Sequence, residues 1–239
     1  METMRLIAPC HFGVEAVLKK EIYDLGYEIE SVEDGKVTFI GDAEAVCRAN
    51  IFLRTAGRIL IRVGKFKAET FEELFQGTKA IPWENYIPKN GRFWVAKATS
   101  IKSKLFSSSD IQSIMKKAMV ERMKQKFHME WFEEDGESYP VRVFIYKDEV
   151  VVGLDTTGES LHKRGYRKLT SKAPIAENLA AAMISLTPWH KDRILVDPFC
   201  GSGTTCIAAV QNNRSYIAYD IKREYVELAE KRISNQKFI

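Results

Sequence analysis

Apolar residues recur at two different periods along the first 66 residues, and the alternation of these periods predicts the local structure. Short runs at 4–8, 27–32, 36–40 and 58–63 have the length and alternation of strands. Two segments between them carry apolar residues at helical spacing, Val14, Val17, Leu18, Ile22 and Leu25 in the first and Val46, Ala49 and Leu53 in the second. The order strand, helix, strand, strand, helix, strand predicts a ferredoxin-like unit over residues 1–66.

Residues that start and stop secondary structure support this order. Gly26 follows the first helical pattern, where a glycine commonly ends a helix. An Asp-Gly turn at Asp34 and Gly35 separates two strand patterns and predicts a hairpin. Asp42 stands where an aspartate caps the start of the second helix.

Residues 67–157 repeat the mixture of helix and strand patterns and are predicted to form a second domain. A short helix begins near Phe71, a strand covers 93–98, and a polar cluster around Ser108 starts a longer amphipathic helix. Strand patterns at 141–146 and 150–154 flank a short polar turn, which predicts a second hairpin. A basic segment, residues 158–172, then leads to a last domain over residues 173–239.

The stretch from 194 to 220 reads as a strand, a glycine turn, a short helix and a second strand that ends on an acid. Residues 194–196 are an apolar run suited to a buried parallel strand. Gly201 and Gly203 allow a tight turn and a close approach to a ligand at the start of the helix. Asp220 follows the second strand, where an acid can accept hydrogen bonds from vicinal ribose hydroxyls. This order predicts the nucleotide half-site of a doubly wound fold.

Composition limits the classes of protein to which the chain can belong. The 239 residues carry a formal net charge of +4 and are 45% hydrophobic, which suits a soluble globular chain. No apolar run reaches the length of a membrane span and no cleavable signal pattern opens the chain, so we expect a cytoplasmic location without membrane contact. The four cysteines lack the paired spacing of a zinc or disulfide framework, so we expect reduced thiols and no metal site.

Positive charge clusters in two places that could contact nucleic acid. One cluster surrounds a serine-rich loop near residue 103, and the other is the basic segment 158–172, which interleaves an aromatic ring with cations. Guanidinium groups and an aromatic ring can hold phosphates and a base, which favours RNA binding there. The charges of the long helix are interpreted as a solvated face. The predicted RNA contacts are Lys102, Lys104, Lys163, Arg164, Tyr166, Arg167 and Lys168.

Several motifs in the second half of the chain together resemble one family. They are Asp155-Thr156-Thr157-Gly158, Leu161-His162-Lys163-Arg164-Gly165-Tyr166-Arg167, Ala173-Pro174-Ile175, Glu177-Asn178-Leu179-Ala180-Ala181 and Asp197-Pro198-Phe199-Cys200-Gly201-Ser202-Gly203-Thr204. This combination resembles the THUMP-containing RNA methyltransferases, and among them the bacterial large-subunit ribosomal RNA guanine-N2 methyltransferases related to RlmL. The resemblance runs from the N-terminus to about Thr204.

The resemblance implies a fold, a cofactor and a partner. The implied fold class is α/β with an α+β N-terminal module: a ferredoxin-like unit plus a THUMP domain, followed by a partial Rossmann-like methyltransferase domain. The implied cofactor is S-adenosylmethionine, and the implied partner is RNA, in particular ribosomal RNA. A helix at 174–186 would pack beside the cofactor. The residues assigned to cofactor binding are Pro174, Asp197, Pro198, Phe199, Cys200, Gly201, Ser202, Gly203, Thr204 and Asp220.

The sequence also departs from the family pattern. Ala176 stands where the family usually has arginine, and Ala208 where it usually has glutamate. Residues after Thr204 resemble DNA amino-methyltransferases more than THUMP enzymes. Transfer to an exocyclic amine in this superfamily uses an (Asn/Asp)-Pro-Pro-(Tyr/Phe) loop, and none of the seven prolines belongs to a Pro-Pro pair. The catalytic residues therefore stay unassigned.

Three explanations for the missing loop remain open: a truncated gene, a partner chain that supplies the loop, and a degenerate enzyme. Accordingly, the alternatives to an RNA methyltransferase are a non-catalytic RNA-binding protein with a remnant methyltransferase domain and a fragment of a DNA amino-methyltransferase. A strand-helix-strand-helix fragment leaves a sheet edge exposed, so we expect self-association or a partner chain at the C-terminal sheet.

Overall fold

The computed structural model describes residues 3–164 and 175–235. They form two compact units, of which the first ends at Ala182 and the second begins at Met183. Within the described residues, no helix combines the length and the apolar character needed to cross a membrane.

The first six elements of the chain confirm the predicted ferredoxin-like unit. Its strands lie in the order β2-β3-β1-β4, and every neighbouring pair is antiparallel. Asp42 caps α2 as predicted, since its Oδ1 accepts a hydrogen bond of 2.9 Å from the amide of Ala45. The elements are β1 (Met4–Pro9), α1 (Glu15–Asp24), β2 (Glu28–Glu33), β3 (Lys36–Gly41), α2 (Ala43–Phe52) and β4 (Leu60–Lys67).

The next elements extend the same sheet by three strands. They are α3 (Phe71–Ala80), β5 (Arg92–Ile101), α4 (Ser108–Phe127), β6 (Ser138–Tyr146) and β7 (Glu149–Asp155). The hairpin of β6 and β7 is present as predicted, and β5 runs parallel to β6. Both β5 and β6 are longer than predicted, because their pairing continues through flanking residues at 92, 99–101 and 138–140.

The pairing of β4 with β7 joins the first two predicted domains into one seven-stranded sheet, ordered β2-β3-β1-β4-β7-β6-β5. The predicted boundary at residue 66 therefore falls at the end of the strand that connects the two halves of the sheet. Ile61, in β4, packs against both apolar cores, the one beneath α1 and α2 and the one beneath α3 and α4. Helices α1–α4 therefore all cover the same face of the seven-stranded sheet. Strand residues that alternate with the core positions, such as Arg142 and Phe144, point to the other face.

The second unit contains a two-stranded parallel sheet. Its elements are β8 (Leu195–Asp197), α6 (Thr204–Gln211), β9 (Tyr216–Ala218) and α7 (Arg223–Ser234), and α5 (Glu177–Ser185) spans the boundary between the units. The predicted order of strand, turn, helix and strand is confirmed. The prediction of a buried strand at 194–196 is wrong for the described residues, because Ile194 is 54% and Val196 is 56% exposed. A sheet of two strands leaves those side chains uncovered.

Candidate functional site

The glycine loop, residues 198–203, is anchored to the ends of the two parallel strands. The amide of Cys200 donates to the carbonyl oxygen of Tyr219, and the amide of Tyr219 donates to the carbonyl of Asp197, both at 2.9 Å. The side chain of Asp197 turns back and accepts a hydrogen bond of 3.1 Å from the amide of Phe199. These three bonds fix the path of the loop at the carboxyl end of the sheet, where ligands bind in doubly wound folds.

Asp220 lies against this loop rather than merely following β9. Its Oδ2 accepts a hydrogen bond of 2.9 Å from the amide of Gly201, and its Oδ1 accepts one of 3.0 Å from the amide of Lys222. A carboxylate offers about four acceptor positions, so each oxygen retains capacity for a hydroxyl donor. The residue is half-buried. Two hydroxyl groups of a ligand that rests on the loop can therefore reach the same carboxylate.

The two loop glycines meet different surroundings. Gly201 has φ of +50° and no heavy atom within 4 Å of the position that a Cβ would take. Its surface is open to a ligand. Gly203 has φ of +77°, and a Cβ there would lie 2.6 Å from the Cβ of Ala229 in α7. Gly203 is therefore required by the packing of α7 against the start of α6, which the sequence did not indicate.

The rest of the loop is divided between packing and open surface. Ser202 is tied to α7, since Nη1 of Arg232 donates to its carbonyl and, at 2.8 Å, to its Oγ. Phe199 is 85% exposed and Ile221, directly after Asp220, is 98% exposed. Ile221 was not among the predicted site residues, although an apolar residue beside the predicted ribose acid is a signal in the sequence. These apolar side chains suit a flat aromatic ring.

The surroundings of Cys200 and Cys206 favour the thiol form over the thiolate. Burial raises the pKa of Cys200, and the carboxylates of Asp220 and Asp197 raise it further. Burial also raises the pKa of Cys206. A protonated thiol is a weak nucleophile, so the loop is suited to holding a ligand and not to covalent chemistry through sulfur.

Most of the predicted cofactor residues are brought together by this geometry. Residues 197–204 cover the end of β8, the glycine loop and the start of α6, and the carboxylate of Asp220 accepts a hydrogen bond from the loop. Pro174 lies outside the described residues. No group of three or more potential metal ligands occurs within residues 3–164 and 175–235.

The predicted RNA contacts near residue 103 lie in the turn after β5. Lys102 is exposed and has φ of +52°. Lys104 is also exposed, but its ammonium group pairs with Glu69 and its amide donates to Oδ1 of Asp148 at 2.7 Å. Hydrogen bonds from Lys104 and Lys67 lower the pKa of Glu69 to about 2. An RNA phosphate at Lys104 would compete with this carboxylate.

Arg164, one of the predicted RNA contacts in the basic segment, forms hydrogen bonds within the protein. Its guanidinium donates to the carbonyl oxygens of Leu161 at 3.0 Å, Ile51 at 2.8 Å and Leu53 at 2.7 Å. The last two belong to the C-terminal end of α2, where carbonyls lack helical partners and a cation is favourable. Arg164 thus anchors the segment after β7 to α2. Lys163 is exposed, and the other three predicted contacts of this segment, Tyr166, Arg167 and Lys168, lie outside the described residues.

Comparison with known families divides the chain in three. Residues 5–60 match the RlmL ferredoxin-like domain, residues 68–155 match the THUMP domain, and residues 164–238 match the RMKL-like methyltransferase domain.

Relatives match the chain almost throughout. The "Putative RNA methyltransferase YpsC" of Bacillus subtilis (strain 168) is 50% identical over 228 residues, which are 95% of this chain and 58% of that protein. The solved structure of "a predicted N6-adenine-specific DNA methylase" from Listeria monocytogenes is 40% identical, with a TM-score of 0.86 over 98% of this chain and 72% of its own. The chain belongs to the family of THUMP-containing methyltransferases related to RlmL. A third relative, "SMU.472, a putative methyltransferase complexed with SAH", is 38% identical, with a TM-score of 0.83 over 98% of this chain and 73% of its own.

The chain spans 58% of the length of the curated relative. In sequence and in structure, the shared part includes the ferredoxin-like domain, the THUMP domain and the glycine loop of the methyltransferase domain.

Proposed function

We propose that this chain captures RNA and holds S-adenosylmethionine for methyl transfer to that RNA. The observation that carries the cofactor proposal is the contact between Asp220 and the glycine loop. A single carboxylate there has acceptor capacity for two hydroxyl groups beside an open glycine surface at Gly201.

The described residues fit S-adenosylmethionine as a ligand. Asp220 would accept hydrogen bonds from the ribose hydroxyls, and the exposed side chains of Phe199 and Ile221 offer apolar contact to the adenine ring. The start of α6 places N–H groups and a positive helix end near the loop, where they favour the carboxylate of the methionine part. When bound, the cofactor supplies an electrophilic methyl group on sulfur. The relative SMU.472, which is complexed with SAH, supports the same ligand for this chain.

RNA is the proposed substrate class. The THUMP domain match and the RNA methyltransferase name of the Bacillus relative support RNA over DNA. Within that class, we propose guanine N2 of ribosomal RNA as the acceptor, on the resemblance to the RlmL group. This exocyclic amine needs hydrogen-bond acceptors beside the flipped base.

None of the seven prolines forms a Pro-Pro pair, so the (Asn/Asp)-Pro-Pro-(Tyr/Phe) motif of an amine acceptor loop does not occur in residues 1–239. We therefore propose that this polypeptide binds the cofactor and RNA but needs further residues, on a continuation or on a partner chain, for transfer. The proposed contact surface for such residues consists of exposed apolar side chains in and directly before the two-stranded sheet, namely Ile194, Val196 and Ile217. Size-exclusion chromatography with light scattering should show self-association that rises with concentration.

The proposed function is tested by two measurements on the 239-residue chain. In the first, calorimetry with S-adenosylhomocysteine should show saturable one-to-one binding, and no binding at millimolar ligand would overturn the cofactor proposal. In the second, a labelled RNA should bind more tightly than DNA of the same sequence and length. Equal or tighter binding of DNA would favour the DNA methyltransferase alternative.

A further inference from the structure

A cleft of about 450 Å³ opens on the sheet face opposite α1–α4. Its walls come from the end of β1, the segment before β4, strands β5 and β6, the segment after β7, and the start of α5. All of these walls belong to the first unit. The charged and aromatic residues that line it are His11, Arg58, Lys97, Arg142, Phe144 and His162, and no aspartate or glutamate is among the described residues of its lining.

Lys97 faces the cleft because β5 contains a bulge. The pairing of β5 with β6 shifts by one residue between Val95 and Lys97. In a regular strand Lys97 would point to the same face as Val95, which is buried beneath α4. The extra residue turns Lys97 to the opposite face, and bulges commonly re-aim a side chain at functional sites in this way.

Two arginines of the cleft are held by one buried carboxylate. Oδ2 of Asp155 accepts hydrogen bonds of 2.8 Å from Nη1 of Arg58 and from Nε of Arg142. The Asp155 side chain is 1% exposed, whereas the arginine side chains are 20% and 19% exposed. A guanidinium has five N–H donors, so both arginines keep donors for a second anion. One negative charge thus orients two positive charges.

Within the described residues, the remaining wall carries an aromatic ring and no negative charge. Phe144 is half-buried, and its ring centroid lies 5.3 Å from the ammonium group of Lys36. Burial and the charge of Glu15 raise the pKa of the Cys10 thiol, which also lines the cleft, to about 12. The thiol therefore adds no negative charge at neutral pH. The cleft combines excess positive charge with an aromatic ring, which is the combination that holds a nucleotide.

We propose that this cleft binds one unpaired nucleotide of the RNA substrate, with Arg58, Lys97 and Arg142 on its phosphate and Phe144 against its base. The volume is within the range of small-molecule pockets, roughly 300–1,000 Å³, and so matches a nucleotide and not a duplex. This inference rests on the proposed function only in taking RNA as the substrate. It places an RNA contact on the open sheet face, whereas the guanidinium of Arg164 already donates to three carbonyl oxygens of the protein.

The test compares two lysine variants with the same change of charge. Lys97→Glu alters the cleft, and Lys20→Glu alters an exposed position on α1, on the helix side of the sheet. The probe is a fluorescein-labelled 12-nucleotide single-stranded RNA of mixed sequence, and binding is measured by anisotropy over a series of salt concentrations. Thermal melts confirm that both variants are folded.

Lys97→Glu should bind the RNA about tenfold more weakly than Lys20→Glu. The slope of log K against log salt concentration should become shallower by about 0.7 for each phosphate that the variant no longer binds. A blunt-ended RNA duplex should compete poorly with the single strand. Ultraviolet crosslinking of a 4-thiouridine-labelled strand should map to the peptide of β6.

Equal RNA binding by the two variants, or crosslinks only outside the cleft walls, would overturn the proposal that the cleft binds a nucleotide. Either result would leave RNA as the proposed substrate. Absence of RNA binding by the unmodified chain would remove both the RNA proposal and the cleft. Effective competition by the duplex would also contradict the assignment of an unpaired nucleotide.

Discussion

Replacing Asp220 with alanine should weaken S-adenosylhomocysteine binding about tenfold to hundredfold. The carboxylate has acceptor capacity beyond the amides of Gly201 and Lys222, and the ligand has two ribose hydroxyls to fill it. A hydrogen bond to a charged group contributes about 1.5–3 kcal/mol, and a tenfold loss corresponds to about 1.4 kcal/mol. Loss of one to two such bonds, partly replaced by water in this half-exposed site, gives the stated range.

The same substitution also removes two bonds that shape the loop itself, so a weaker affinity alone does not identify the ribose contact. A thermodynamic cycle separates the two effects. Calorimetry is carried out on the unmodified chain and on Asp220→Ala, each with S-adenosylhomocysteine and with its 2′,3′-dideoxy analogue. The unmodified chain should bind the dideoxy analogue about tenfold or more weakly than it binds S-adenosylhomocysteine. Asp220→Ala should bind the two ligands with almost the same affinity.

Asp192→Ala is the matched control, because Asp192 is an exposed acid of the same unit and lies before β8. It should bind the ligand as the unmodified chain does. Asp220 is not the ribose acceptor if Asp220→Ala binds S-adenosylhomocysteine with unchanged affinity. The same conclusion follows if the dideoxy analogue lowers the affinity of the variant as much as it lowers that of the unmodified chain.

Three further predictions follow from packing, charge and sequence. Gly203→Ala should lower the free energy of unfolding in urea by about 2–4 kcal/mol, because its Cβ would lie 2.6 Å from that of Ala229 at φ of +77°. Gly201→Ala should lower it by only about 1–2 kcal/mol. Equal losses of stability would contradict the packing role of Gly203. Hydrogen bonds from Arg122 hold the pKa of Glu84 at about 2, below 4.5, so this pair stabilises the fold above pH 4.5 and the stabilisation is lost as the pH falls toward 2. Glu84→Gln should lower the free energy of unfolding by about 1–3 kcal/mol at pH 7 and make it depend less on pH between 4.5 and 2. An unchanged loss of stability in that pH range would refute the stabilising role of the Glu84–Arg122 pair. Finally, the chain alone should transfer no methyl group from labelled S-adenosylmethionine to total ribosomal RNA; turnover comparable to a full-length THUMP methyltransferase would show that an acceptor loop lies within residues 1–239.

Local patterns were sufficient to predict most of the elements. The ferredoxin-like order depends on periodicity and on stop signals such as Gly26 and Asp42, which act over a few residues. The glycine loop and Asp220 were predictable for the same reason, because the spacing between two consecutive strands places an acid at the loop. The continuous sheet was not predictable, because β4 and β7 pair across more than 80 residues of sequence. Neither strand has a sequence feature that identifies the strand with which it pairs.

The charges were the least predictable part. Arg164 and Lys104 have the residue types of an RNA contact, yet the structure pairs Arg164 with helix carbonyls and Lys104 with Glu69. Conversely, Arg142 lies within a strand pattern that gives no sign of an open cleft, and Lys97 needs a bulge to reach it. A cation's role depends on which acceptors the fold brings to it, and these acceptors are distant in sequence.

A crystal structure of the chain with S-adenosylhomocysteine would show whether the glycine loop and Asp220 hold the cofactor. We expect ribose hydroxyls within hydrogen-bond distance of both oxygens of Asp220, with the ligand resting on the open side of Gly201. Ligand density at another place in the molecule, or none at a concentration that saturates binding in solution, would contradict it.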